Sequence, residues 1–95
     1  MSDEEEPLVR QLTVVNARGL HARAAAKFVK LAGQFDAEIR LSKDGITVSG
    51  MSIMGLMMLA AAKGCCVELS TSGREAMAAM GAIADLVEDG FGERD

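Results

Sequence analysis

Tryptophan and tyrosine are absent, and Phe28, Phe35 and Phe91 are the only aromatic residues. So thin a supply excludes the stacking platform on which single-stranded nucleic acid is held. An excess of positive charge is missing too: 14 acidic residues stand against 10 basic ones, for a net charge of −4. No nucleic-acid partner is therefore expected, because phosphate backbones bind basic surfaces. Part of the acidity sits in Asp3, Glu4, Glu5 and Glu6, and residues 1–7 are expected to form a solvated, flexible end. No apolar run approaches the roughly 18 residues that a membrane span needs, so no membrane insertion is expected. The acidic start is unlike a secretory signal, and a cytoplasmic location is expected. Cysteine is limited to the neighbours Cys65 and Cys66. Neighbours on a strand point to opposite faces, which disfavours a bridge or shared chelation. With one histidine in the chain, no zinc site can be completed, and packed thiols are expected.

What remains is a chain of 95 residues, nearly half of them hydrophobic. That is enough for one small domain with its own core and too little for a separate substrate lobe. A carrier, binder or regulator fits better than a self-contained enzyme.

The hydrophobic pattern orders that domain. Leu8 to Val15 alternates as a strand, with Leu8, Leu12 and Val14 on one face. Asn16 to Gly19 breaks it as a turn. From Ala22 to Ala32, Ala25, Phe28, Val29 and Ala32 recur at helical spacing, and Gly33 is a stop. Ala37, Ile39 and Leu41 alternate next; Asp44-Gly45 is a hairpin turn, and Ile46 and Val48 return. Ser52 precedes an apolar helix over residues 53–62, ended by Lys63-Gly64. Cys65, Val67 and Leu69 form a fourth strand, with a turn from Thr71 to Gly73. Arg74 to Glu88 is a last helix with Met77, Met80, Ile83, Ala84 and Val87 on its buried stripe. Residues 89–95 read as a flexible C-terminal tail. The order βαββαβα predicts an α+β open-faced sandwich: a four-stranded antiparallel sheet covered on one face by three helices, spanning residues 8–88.

One stretch carries chemistry. In Gly19-Leu20-His21-Ala22-Arg23-Ala24-Ala25 a glycine turn delivers the single histidine to a helix start. Helix starts leave N–H groups unpaired and positive, which suits phosphate. Arg23 offers a guanidinium to the same oxygens, and positive surroundings favour a neutral, nucleophilic imidazole. The same residues also fit a histidine that simply caps a helix.

This stretch resembles the active-site signature of the HPr family, the histidine-containing phosphocarriers of the phosphoenolpyruvate-dependent phosphotransferase system. A second block, Gly50 to Leu59, resembles the family's regulatory-serine helix, and the likeness extends over about residues 8 to 88. The resemblance implies that His21 accepts a phosphoryl group on Nδ1 from phosphorylated enzyme I and passes it to an EIIA-type protein. Arg23 would counter the phosphate charge, and the backbone at Ala22 and Arg23 would donate to it. Ser52 would be phosphorylated by HPr kinase/phosphorylase. No cofactor or metal is implied on this chain, and a monomer is expected. Where many members have proline this chain has Ala24, which leaves the helix entry freer. Arg18 replaces a common small polar residue and adds a positive group. Sugar uptake and a nitrogen-type regulatory cascade are not separated; Ala24 and the methionine-rich serine helix lean toward the second.

The serine helix is apolar all round. Leu56 and Leu59 suit burial, leaving Ile53, Met54 and Met57 as a candidate docking patch beside His21. Two other classes stay open: a regulatory binding module acting through the Ser52 helix without phosphotransfer, and a redox or metal protein using Cys65 and Cys66.

Overall fold

Alternation in Leu8–Thr13 (β1), Glu38–Lys43 (β2), Ile46–Ser49 (β3) and Cys66–Ser72 (β4) puts the buried apolar side chains on one side of the strands. Burying that side forces the strands into one layer. In the computed structural model, which describes residues 6–93, they form an antiparallel sheet in the order β1-β4-β2-β3. Leu12 lies opposite Val67, and Leu41 opposite Leu69; all four side chains are buried. Helices α1 (Ala22–Ala32), α2 (Ile53–Met58) and α3 (Ala76–Glu88) cover this face. Ala24, Ala25 and Phe28 of α1, Leu56 of α2 and Ile83, Ala84 and Val87 of α3 meet the sheet residues in one core. The predicted α+β order βαββαβα is the observed one. At the hairpin, Asp44 and Gly45 both take positive φ, 52° and 83°, the turn whose twist matches that of the flanking strands.

Several boundaries move. The first strand ends at Thr13 rather than Val15, and β4 runs on to Ser72, where Thr71 is buried and its Oγ1 donates to the Ala76 carbonyl. The third helix accordingly starts at Ala76. The second helix stops at Met58, not residue 62. Ala60 turns left-handed, φ 53°, which frees the Ala61 carbonyl to accept from Leu20 N–H at 2.9 Å. The chain gives up helix there in order to brace the loop before His21. Met77 is not on the buried stripe: it is 78% exposed. It lies in the first turn of α3 at the rim of the stripe that runs through Ala79, Met80, Ile83, Ala84 and Val87.

The largest correction concerns the C-terminal tail. Gly90–Gly92 forms a 3-10 turn after α3, and Phe91 is 1% exposed. Phe91 adopts φ 57°, so the chain reverses there, and its carbonyl accepts from Lys27 Nζ at 2.7 Å. Burial of an aromatic side chain outweighs the strain of a left-handed residue, so residues 89–93 are packed rather than flexible. The acidic residues Asp3, Glu4 and Glu5 of the expected flexible start lie outside the described residues, as do residues 94–95.

Candidate active site

The loop before α1 is shaped by Gly19. Its φ is 65°, and a Cβ there would come within 2.3 Å of the Ala61 carbonyl oxygen. Only glycine allows the two backbones to touch at that point. Asn16 closes the loop from the other side. It is buried, and its Nδ2 donates to the Gly19 carbonyl at 2.8 Å.

These contacts deliver His21 as the N-cap of α1, with extended backbone and no side-chain cap bond. The His21 carbonyl accepts from Ala25 N–H at 2.8 Å. The amides of Ala22, Arg23 and Ala24 precede the first helical bond and have no backbone partner among the described residues. No acidic residue occupies the first turn, so the partial positive charge of the helix start is not offset there.

The imidazole is held by a residue that sequence reading had placed in a frayed tail. His21 Nε2 lies 2.5 Å from Glu93 Oε2, and the Glu93 side chain is 11% exposed. Asn16 Nδ2 donates to Glu93 Oε1 at 3.0 Å, so one amide links the glycine loop to the carboxylate. Satisfying both acceptors fixes the Asn16 amide and leaves its buried Oδ1 without a partner among the described residues. The hydrogen bonds from His21 and then Asn16 hold the Glu93 carboxyl below the usual glutamate range, overcoming desolvation, and the charge of His21 and of Arg18 adds to them.

Among the described residues the ring's Nδ1 has no hydrogen-bond partner. Nδ1 is bonded to Cγ and so stays near the histidine's own backbone, while Nε2 projects away. Arg23 is exposed two residues on, with no ion pair or hydrogen bond among the described residues. The constellation is thus an imidazole anchored through one nitrogen, open helix amides and an uncommitted guanidinium. It can accept a phosphoryl or similar anionic group. No group of three or more His, Cys, Asp or Glu side chains that could hold a metal ion occurs among the described residues.

Ser52 caps the neighbouring α2, its Oγ accepting from Gly55 N–H at 2.9 Å. Helices α1 and α2 pack against each other, with Met51, next to Ser52, against Gly33 at the far end of α1 and Ala61, beyond α2, against the loop before His21. Of the predicted patch, Met54 is 71% exposed and Ile53 and Met57 about 40%, while Leu56 and Leu59 are buried. Glu93, Asn16 and Lys27 are the site residues that sequence reasoning missed. The available signal was Phe91, an apolar aromatic inside a supposedly solvated tail.

A family model described as the phosphorylation site of the phosphotransferase-system HPr component matches residues 8–89. The phosphocarrier protein HPr of Neisseria meningitidis serogroup A is 49% identical over 86 residues, covering 90% of this chain and 97% of the relative. HPr of Cupriavidus necator is 46% identical over 86 residues, with the same coverage, 90% and 97%. The fold is similar to that of HPr from Thermoanaerobacter tengcongensis, with a TM-score of 0.88 at 40% identity, over 93% of this chain and 99% of that one.

Proposed function

The chain belongs to the HPr family of phosphocarriers of the phosphotransferase system, and from that premise we propose that His21 is its phosphoryl acceptor, through Nδ1. Phosphorylated enzyme I donates the group, and a histidine of an EIIA-type protein receives it. The observation that carries this reading is the placement of His21 as the N-cap of α1, with its ring bound through Nε2 only. An Nδ1 phosphoryl group then lies on the backbone side of the ring, where the Ala22 and Arg23 amides donate to it. Arg23 is exposed without a competing carboxylate among the described residues and supplies the counter-charge. The His21 side chain is 21% exposed, which leaves a group on it within reach of a partner.

Ser52 is the regulatory position in this reading, modified by HPr kinase/phosphorylase. Its hydroxyl already faces the start of α2, where a phosphate is electrostatically tolerated. The added charge would act on docking at Ile53, Met54 and Met57 rather than on the fold.

Incubation with enzyme I and labelled phosphoenolpyruvate tests the carrier reading. The expected product is an acid-labile, base-stable label, present on the wild type and lost in His21→Ala. A wild type that takes no label overturns the reading.

A further inference from the structure

We propose that Glu93 is a positioning residue for His21: its carboxylate takes the hydrogen bond from Nε2–H and thereby keeps Nδ1 as the lone-pair nitrogen that attacks phosphorus. This inference rests on the carrier reading and adds to it a residue from the far end of the chain.

A neutral imidazole carries one proton, and the hydrogen bond made by one nitrogen decides which nitrogen bears it. A carboxylate can only accept, so the nitrogen facing Glu93 is the protonated one. With Nε2 at 2.5 Å from Glu93 Oε2, Nδ1 is left bare. The carboxylate is itself fixed. Asn16 Nδ2 holds Oε1 at 3.0 Å, Phe91 is buried two residues before it, and Lys27 Nζ ties the Phe91 carbonyl to α1 at 2.7 Å. Four residues separated along the chain thus converge on one ring orientation, more than a chance contact of a loose end requires.

The transfer step balances without a further reactant. The Nδ1 lone pair forms the new N–P bond. The bond between phosphorus and the donor breaks, and its electron pair leaves with the donor. Nε2 keeps its proton, so the His21 ring becomes cationic, and that charge develops directly against the Glu93 carboxylate. In the forward step the carboxylate steadies the phosphorylated ring; on delivery to the acceptor the same steps run in reverse.

The only histidine of the chain gives an unambiguous ring spectrum, so the test uses the full chain as wild type, Glu93→Ala and Glu93→Gln. Ring 15N shifts of the neutral, unphosphorylated proteins report the tautomer. Phosphoryl transfer from phospho-enzyme I reports the consequence, and the backbone amide spectra confirm that each variant is folded. The wild-type ring is expected as the Nε2–H tautomer. Glu93→Gln, whose amide oxygen can still accept, retains most of it. Glu93→Ala shifts toward the tautomer mixture of an unconstrained histidine side chain and transfers about ten-fold more slowly, the lower end of what loss of an orienting partner of a histidine costs elsewhere. A Glu93→Ala rate within twofold of wild type overturns the proposal whatever the spectrum shows. So does a slower rate with an unchanged tautomer, which would assign Glu93 some other part. Both leave the carrier reading intact, because the wild type is then labelled. A wild type that takes no label overturns the carrier reading itself, and this inference with it.

Discussion

His21 and Glu93 are 72 positions apart in sequence, yet Nε2 of one and Oε2 of the other stand 2.5 Å apart. The contact ties the segment after α3 to the start of α1. It exists because Phe91 enters the core and turns the chain back, bringing Glu93 within reach of Asn16 and His21. The final turn is therefore part of the site rather than an appendage.

That relationship has a pH signature. The Glu93 carboxyl is held below the usual range by the hydrogen bond from His21 first and that from Asn16 second. A carboxyl whose pKa is depressed by folding contributes stability above its unfolded pKa, about 4.3 for glutamate. It loses that contribution as pH falls through the lower native value. Wild type should therefore exceed Glu93→Gln in urea-derived stability at about pH 6, and the two should converge on acidification below about pH 4. A gap that widens as pH falls contradicts the assignment.

Gly19 offers a prediction about backbone contact. With φ at 65° and a Cβ only 2.3 Å from the Ala61 oxygen, Gly19→Ala meets both strain and a clash with main chain that cannot swing aside. A loss of about 2–3 kcal/mol is expected. Gly64 is the control: its φ is 91° but nothing lies within 4 Å of a built Cβ. Gly64→Ala should cost only the strain, about 1–2 kcal/mol. Equal urea midpoints for the two variants would show that the approach to Ala61 is not what Gly19 is needed for.

At Ser52 the cap and the modification can be separated. Ser52→Ala removes the acceptor for Gly55 N–H and should cost about 1 kcal/mol. Ser52→Asp keeps an acceptor and adds a charge of the favourable sign at that helix end. Its urea-derived stability should lie within a few tenths of a kcal/mol of wild type. A large loss in Ser52→Asp would mean that negative charge disrupts α2, and the proposed regulation would then have to act through unfolding.

Most of the fold was legible because its signals are local. Alternation marked Ile39 and Leu41, helical spacing marked Phe28 and Ala32, and Asp44-Gly45 marked its own turn. His21 was legible for the same reason: Gly19, the helix start and Arg23 lie within four positions of one another. What escaped was decided by distant partners. Ala60 and Ala61 have every local reason to stay helical, and they leave the helix because Leu20 N–H needs the Ala61 carbonyl. Met77 fits the period of α3, but at its first turn the period says nothing about where the sheet ends. Glu93 reads as one more charge in a polar tail until Phe91 is seen to be buried, and periodicity cannot register a single aromatic between glycines.

The final prediction concerns the proposed docking face. Met54 exposes 71% of its surface on α2, and Met77 exposes 78% at the start of α3. Exposure is thus matched, and truncating either to alanine should leave stability within about 0.5 kcal/mol of wild type. The two differ in their surroundings: Met54 is flanked by Ile53 and Met57 on the helix packed beside α1, whereas Met77 belongs to the other end of the chain's helical layer. If the α2 patch is the docking face, Met54→Ala should raise the KM for transfer from phospho-enzyme I by about tenfold, the loss of one buried apolar anchor. The rate at saturation should hold, because the side chain contributes binding rather than chemistry. Met77→Ala should change neither. Equal effects from the two substitutions would show that partners do not select the α2 face, and a fall in the saturating rate of Met54→Ala would place that residue's influence on His21 itself.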